Sequence, residues 1–319
     1  MLDVDRFLED VSGRFARSYT ETLRDMLVAV AMRNKPKLSA ARKRLGQIIS
    51  ETMGVSEVLG ATTTFRRAAK LIESEGLALK ADVAHLLAFA EASSQSILPR
   101  VTLTEAVQDM IDRSPVTIRR AAERTGQRIA QLYGEGRVVA FVRSAEDAVT
   151  ERVKSLITEA MREGIPEATT GRLIRMGVEE VSKRTGEWTE GYARMAFRTN
   201  VNTAVTAGRF RAAQDQDIKQ IMPAFRFDAV GDHDTRDNHN AGDEKIMRVD
   251  NLAWNKVAPP LGFNCRCQVI QVGLPELRRM GRINADGSVR EDKPPAAWRA
   301  DQGFRHGGRP DLFMVGNSK

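Results

Sequence analysis

Apolar residues recur at intervals of three and four over most of the first 216 positions of this 319-residue chain. That pattern limits the fold more than any other feature, because a stripe of period 3.6 is buried by packing helix against helix. Residues 5–33 read as one long helix with Leu8, Val11, Phe15, Tyr19, Leu23, Met26, Leu27 and Val30 on one face, stopped at Asn34-Lys35-Pro36. A second helix carries Leu45, Ile48 and Ile49, and a third carries Phe65, Ala68, Ala69 and Ile72. A fourth carries Leu79, Val83, Leu86, Leu87 and Ala90, and Ser93 to Pro99 reads as a joint. Thr102 with Glu105 predicts a capping box opening a short helix with Val107, Met110 and Ile111. Ser114-Pro115 predicts an N-cap serine and a first-turn proline for a helix running towards Tyr133, broken by Gly134-Glu135-Gly136.

Val138 to Val142 fits either a short strand or a helix. Residues 145–162 are helical, with Val149, Val153, Leu156, Ile157 and Ala160 on one face, and Gly164-Ile165-Pro166 is a turn. Helix follows over 167–184 and again from Glu187 to Gln216. The period then shifts towards two in Ile221 to Asp228, which predicts a strand, with two more near Ile246 to Val249 and Gln268 to Val272. The expected fold class is mostly α with a small α+β module: long amphipathic helices, then a short-stranded, Cys/His-containing C-terminal module at 220–272 packed on the 187–216 helix. Beyond it, Asn284-Ala285-Asp286-Gly287 is a hairpin-type turn. Lys293 to Arg309, rich in Pro, Gly and Arg, reads as a poorly ordered end, with Trp298, Phe304 and Phe313 as its docking candidates.

A net charge of +7 suits a polyanionic neighbour such as double-stranded DNA bound without sequence preference, and equally suits a basic soluble surface. The acidic, amphipathic start lacks the basic and apolar runs of a secretory signal, and no apolar stretch reaches the roughly 18 to 20 residues of a membrane span. A reducing compartment and no membrane partner are therefore expected. Two cysteines one residue apart also make a strained disulfide.

The chemistry gathers between Asp228 and Cys267. Phe225 to Asn251 holds seven Asp/Glu against four Lys/Arg in an otherwise basic chain. His233, His239, Cys265 and Cys267 together supply the thiolates and imidazoles that a four-coordinate structural zinc prefers, spaced as H-x5-H and C-x-C, with Asp234 or Asp237 able to replace a histidine. The competing reading makes the cysteines small buried apolar residues and the histidines surface loop residues. A zinc deaminase needs H-x-E and C-x-x-C, and both are missing. A nuclease using His233 or His239 as base with Asp-held metal fits the composition, though no spacing demands it. Cys265 has no evident activating neighbour in the sequence, so no catalytic residue is expected.

Asp234-Thr235-Arg236, His239, Pro259-Pro260 and Asn264-Cys265-Arg266-Cys267 together resemble the phage head morphogenesis proteins similar to phage Mu protein F. Upstream, Gly164-Ile165-Pro166, Arg198-Thr199-Asn200 and Ala207-Gly208-Arg209 extend the resemblance to about 164–272. It divides the chain into an N-terminal helical platform (1–163), a head-morphogenesis domain (164–272) and a basic tail (273–319). Asn200 stands where the family has Glu, and Gly262 stands where it has the His before the Asn-Cys-Arg-Cys run, which leaves either His233 as the substitute fourth ligand or a site without metal. Asp234, Arg236, Arg266 and Arg198 are the expected structural residues, with Arg266 in a bidentate pair with an Asp such as Asp234. The resemblance implies a minor head protein of a tailed phage or prophage, assembled in the host cytoplasm and located in the virion. Its implied partners are portal, capsid and scaffold proteins, and further copies of itself. The alternative is a metal-dependent nuclease or toxin-type enzyme on the same domain.

Overall fold

The computed structural model describes residues 4–74, 102–134, 139–163, 169, 174, 179–302 and 304. These hold the helices α1 (Val4–Ala31), α2 (Lys35–Ser74), α3 (Leu103–Asp112), α4 (Val116–Gly134), α5 (Val139–Arg162), α6 (Glu179–Ala213) and α7 (Gln216–Ile221). There follow β1 (Ala224–Asp228), α8 (Asp237–Asn240), β2 (Ile246–Arg248), α9 (Trp254–Val257), β3 (Gln268–Val272) and α10 (Leu274–Arg279). The chain is mostly α with a small antiparallel sheet. None of the described helices is long and apolar enough to cross a membrane. The predicted fourth helix (Leu79 to Ala90), the Ser93–Pro99 joint, Gly164-Ile165-Pro166, most of the 167–184 helix and Phe313 lie outside the described residues, as do the side chains of Leu8, Val11 and Ala160.

Two compact units form, each from separate stretches of sequence. One takes residues 4–52 and 135–197. Within it α1 packs along α5, burying Phe15, Tyr19, Leu23, Met26 and Leu27 on one helix and Val149, Val153 and Leu156 on the other. These are the predicted stripes. Phe15 stacks on Tyr19 at 4.8 Å between ring centroids, and Trp188 stacks on Tyr192 at 5.3 Å. In the Val138–Val142 run, Val138 lies outside the described residues and 139–142 are helix, opening α5 in continuity with the amphipathic stretch behind them.

The other unit takes 53–134 and 198 onwards. The second and third predicted helices are one 40-residue helix, α2, despite Gly54 and Gly60. Glycine weakens a helix interior by about 1 kcal/mol, but Gly60 lies where α6 crosses. A Cβ on Gly60 would overlap the Val205 carbonyl, and one on Gly208 would overlap the Glu57 carbonyl. The two glycines let the backbones touch, and the packing gained there outweighs the lost propensity. Beside the crossing, buried Glu57 accepts from Arg211 Nε and, at 2.8 Å, from the Tyr133 hydroxyl.

The Thr102–Glu105 capping box is present in both directions. Ser114 differs from its expected capping role: its hydroxyl donates back to the Met110 carbonyl at 2.8 Å, so it closes α3 while α4 starts at Val116.

The sheet order is β2-β1-β3, antiparallel throughout, with Phe225 opposite Met247 on one side and Gln271 on the other. Alternation along β1 sends Phe225 and Phe227 into a core with Phe210 of α6, Trp254, Val269, Cys265, Cys267 and Trp298. Ala224 faces a second, smaller core with Ile246, Val272, Leu277 and Val289. The Asn284–Gly287 turn is present, closed by a bridge between Ile283 and Val289. The described part of the tail, 293–302 with Phe304, departs from the expected disorder. Trp298 is buried among Phe227 and Trp254, and Phe304 lies edge-on to Phe263 at 5.1 Å. The composition of this stretch reads as floppy because it hides how much apolar area one indole buries. A Cβ on Gly242 would overlap that indole, so the glycine makes its seat.

Candidate metal centre

The site is assembled on the C-terminal half of α6. Asn202 donates from one Nδ2 to the carbonyls of both Cys265 and Cys267, at 2.9 and 3.1 Å. Thr199 Oγ1 accepts from the Asn264 amide at 3.2 Å, and Asn264 itself sits at φ +59°, a left-handed conformation that asparagine tolerates. Arg209 donates to Gln268 Oε1 and to the Val269 carbonyl, both at 2.9 Å. Three side chains at 199, 202 and 209, spaced to share one helix face, thus hold the Asn-Cys-Arg-Cys turn (Thr199, Asn202) and the start of β3 (Arg209) against α6. Within the Arg-Thr-Asn and Ala-Gly-Arg runs, Gly208 serves the crossing with α2, Thr199 the turn and Arg209 the strand that follows it.

Opposite this turn, α8 presents His239, which is 2% exposed. Its Nδ1 lies 3.7 Å from Cys265 Sγ and 3.9 Å from Cys267 Sγ. All three ligand atoms fall within 4.8 Å of one another, and both cysteines are free thiols at 2% and 3% exposure. The other ring nitrogen, Nε2, is 3.0 Å from Asp301 Oδ1. Asp301 belongs to the tail, and four groups fix it. Arg236 Nε lies 3.2 Å from its Oδ2, Asn238 Nδ2 donates to its Oδ1 at 3.1 Å, the Leu261 carbonyl accepts from its amide at 2.8 Å, and His239 completes the set. A Cβ on Gly262 would overlap the Asp301 carboxylate, so glycine at 262 is what admits it.

The electrostatics follow from this packing. A hydrogen bond from the Cys267 thiol, helped by His239 and opposed by burial, draws the Cys265 thiol down to about 4. Cys267 is pushed well above the ordinary thiol range, first by that same bond and then by burial. The bond between the two sulfurs thus eases loss of the first proton and opposes loss of the second. For His239, burial opposes protonation, but the Cys265 sulfur and the Asp301 carboxylate outweigh it and raise the pKa. Two thiols and an imidazole converging in this way fit a thiophilic divalent ion such as zinc.

Of the four sequence-predicted ligands, the structure brings together His239, Cys265 and Cys267. His233 stands apart, its side chain 91% exposed beside Asp234 at 3.3 Å. Arg266 pairs through one nitrogen with Asp232 at 2.6 Å, in place of the expected bidentate pair with Asp234. Arg236 faces the site through Asp301 and donates to the Phe263 carbonyl at 3.0 Å, while Arg198 is exposed on α6. Sequence reasoning missed Asp301, Asn202 and Thr199.

Fold and site together define a class: a helical scaffold carrying a small antiparallel module with a buried His–Cys–Cys group. Residues 151–270 match the family described as Phage Mu protein F like protein, so the chain carries a Mu F-like segment that encloses the three cluster residues and the α6 face holding them. It is 32% identical over 88 residues to "Putative capsid assembly protein F" of Escherichia phage Mu, covering 28% of this chain and 20% of that protein. It is 40% identical over 76 residues to the Mu-like prophage FluMu F protein of Haemophilus influenzae, covering 24% of this chain and 18% of that protein. The matched parts thus span about a fifth of the length of these curated relatives. No solved structure matches the chain at comparable significance.

Proposed function

We propose that this chain is a minor head protein of a tailed phage or prophage that acts in head morphogenesis through contacts with the portal and the procapsid. The match of residues 151–270 to the Mu F-like family carries this reading, together with the likeness to "Putative capsid assembly protein F" of phage Mu. The fold supports it: long helices offer extended surfaces for protein partners, and a small polar-stapled module suits a rigid part of an assembly. The surplus of seven positive charges adds a sequence-independent attraction to DNA packaged in the same head.

The enzyme reading has one observation in its favour. Cys265, His239 and Asp301 line up as nucleophile, base and orienting carboxylate in the manner of thiol hydrolases. Burial of the sulfur and the ring speaks against it, since a substrate has to reach the sulfur. The test is co-expression of the full chain with the portal and major head proteins of its own phage or prophage, followed by gradient sedimentation. Co-migration with procapsids at a few copies per particle is the expected result. A chain that stays at the top of the gradient while complete heads form sinks the proposal. Salt titration of binding to random-sequence duplex DNA decides the nucleic-acid part, where affinity should fall steeply with ionic strength.

A further inference from the structure

We propose that Nδ1 of His239, Cys265 and Cys267 form a three-ligand site for a thiophilic divalent cation of the zinc class, and that Asp301 is its positioning residue. The proposal stands on geometry within the module and does not depend on the head-assembly reading. Zn–S and Zn–N bonds of about 2.3 and 2.0–2.1 Å at a tetrahedral angle place ligand sulfur and nitrogen about 3.6 Å apart. The two S···Nδ1 separations here are 3.7 and 3.9 Å, so the edges of the site already have the right size. A hydrogen-bonded Cys–His pair needs only one sulfur beside the nitrogen. This ring nitrogen has two at nearly equal distance, which is the arrangement a shared ion requires.

Tautomer selection supplies the second argument. A metal-ligating histidine usually donates its other N–H to a carboxylate, which fixes the ring and raises its basicity. Asp301 does this at Nε2, leaving the Nδ1 lone pair aimed at the sulfurs. The carboxylate lies on the far side of the ring from the cysteines, so it orients the histidine and is not itself a ligand. It is also set before any ion arrives, by Arg236 and Asn238, while the Leu261 carbonyl holds the Asp301 amide. On the other side, Asn202 sets the spacing of the two cysteine carbonyls. Three protein ligands leave one coordination position for a solvent-derived or exogenous ligand.

The placement of Asp301 has a structural consequence. It lies 62 residues from His239, on a strap that runs from Trp298 to Gln302. The strap is otherwise held by Trp298 in the core and by Asn238 Nδ2 donating to the Arg299 carbonyl at 2.9 Å. Ion binding and docking of the strap therefore favour each other through one imidazole. Glycine at 262 is a condition of this arrangement, because any side chain there would occupy the carboxylate's place.

The test uses the full chain, purified under reducing conditions, stripped with chelator and titrated with Co2+ alone. One ion per chain, with thiolate-to-cobalt charge-transfer absorption and the intense visible bands of a tetrahedral site, is expected, and Zn2+ should displace it. Cys265→Ser and Cys267→Ser should each remove or shift the charge-transfer band, and His233→Ala should leave it unchanged. Asp301→Asn, which keeps the shape of the side chain, should weaken affinity by about 10- to 100-fold. Arg236→Gln removes the other ion pair of Asp301 but leaves the histidine contact, and should weaken affinity much less. A titration with no thiolate band in the wild-type chain overturns the site. Equal losses in the Asp301→Asn and Arg236→Gln variants, or none in either, overturn the positioning role. The wild-type spectrum decides the ligand class even where a cysteine variant fails to fold.

Discussion

His233 and His239 are six positions apart in one polar stretch, and they have opposite fates. The loop around His233 is open to solvent: the histidine meets Asp234, and Asp232 meets Arg266. The turn around His239 is closed by four other parts of the chain: the α6 face, the Pro-Pro-led Cys turn, β1 with its core, and the tail strap. The same residue types are present in both, so composition does not separate them. What differs is how many polar partners each group has after water is gone. Around His239 the ring has a partner at each nitrogen, and the carboxylate that faces it has three. A buried polar group is tolerated on that condition alone. The exposed loop never has to meet it, and its ion pairs are weak for the same reason.

The comparison is broken most directly at the other buried polar group, Glu57 with Arg211 and Tyr133. Glu57→Ala leaves the Arg211 guanidinium buried without its partner, and should cost about 3–5 kcal/mol in urea denaturation. A loss under about 1 kcal/mol would mean that water reaches this network, and that burial is the wrong distinction. Trp298→Ala comes next. Truncating a buried indole costs on the order of 3 kcal/mol, and here it should also release the strap, so that protease cuts near residue 300 before the rest of the module. Loss of stability without earlier cleavage would show that Asp301 and Asn238 hold the strap unaided.

How far these features could be read from sequence follows from how local their signals are. The capping box at Thr102 spans four residues and was legible. So was the first strand, because the shift to period two is visible between Ile221 and Asp228, and so were the α1 and α5 stripes. The continuity of α2 was not legible, since Gly54 and Gly60 look like weak points until the Leu103 and Tyr133 side chains beside the first and the Val205 carbonyl of α6 against the second are in place. The cluster was three-quarters legible: His239 and both cysteines carry their own chemistry. Asp301 was hidden twice, by its distance along the chain and by a Pro/Gly/Arg-rich setting that reads as disorder. Gly262 invited the opposite conclusion, a ligand position lost, when it is the gap through which a carboxylate from the tail enters.

A smaller effect concerns pH. Asp292 is partly buried. Burial alone would raise its pKa, but the Ile246 amide and Arg282, each at 2.9 Å, hold it below the ordinary carboxylate range. Its folded-state value is thus depressed. The stability it supplies is present above the unfolded value of about 4 and is lost as pH falls from there through the folded value. Asp292→Asn should therefore lower the melting temperature at pH 7 and leave it nearly unchanged at the acid end, so that the two melting curves converge as pH drops. Parallel curves would show that Asp292 acts through shape and not charge.

The smallest effects belong to the exposed loop. Arg266 holds Asp232 down to about 2, first through their hydrogen bond, yet both groups stand in water. A large pKa shift on a surface carboxylate reports one close contact and says little about the fold, because the unfolded chain and the solvent offer nearly as much. Arg266→Ala and His233→Ala should each leave the melting temperature within the error of the measurement at neutral pH. Arg266 is the sharper case, since it lies between the two cysteines in sequence while its side chain points away to Asp232. If Arg266→Ala destabilised the protein as much as Trp298→Ala does, the guanidinium would be setting the Cys turn, and the division between open loop and closed turn would have to be redrawn with Arg266 on the buried side.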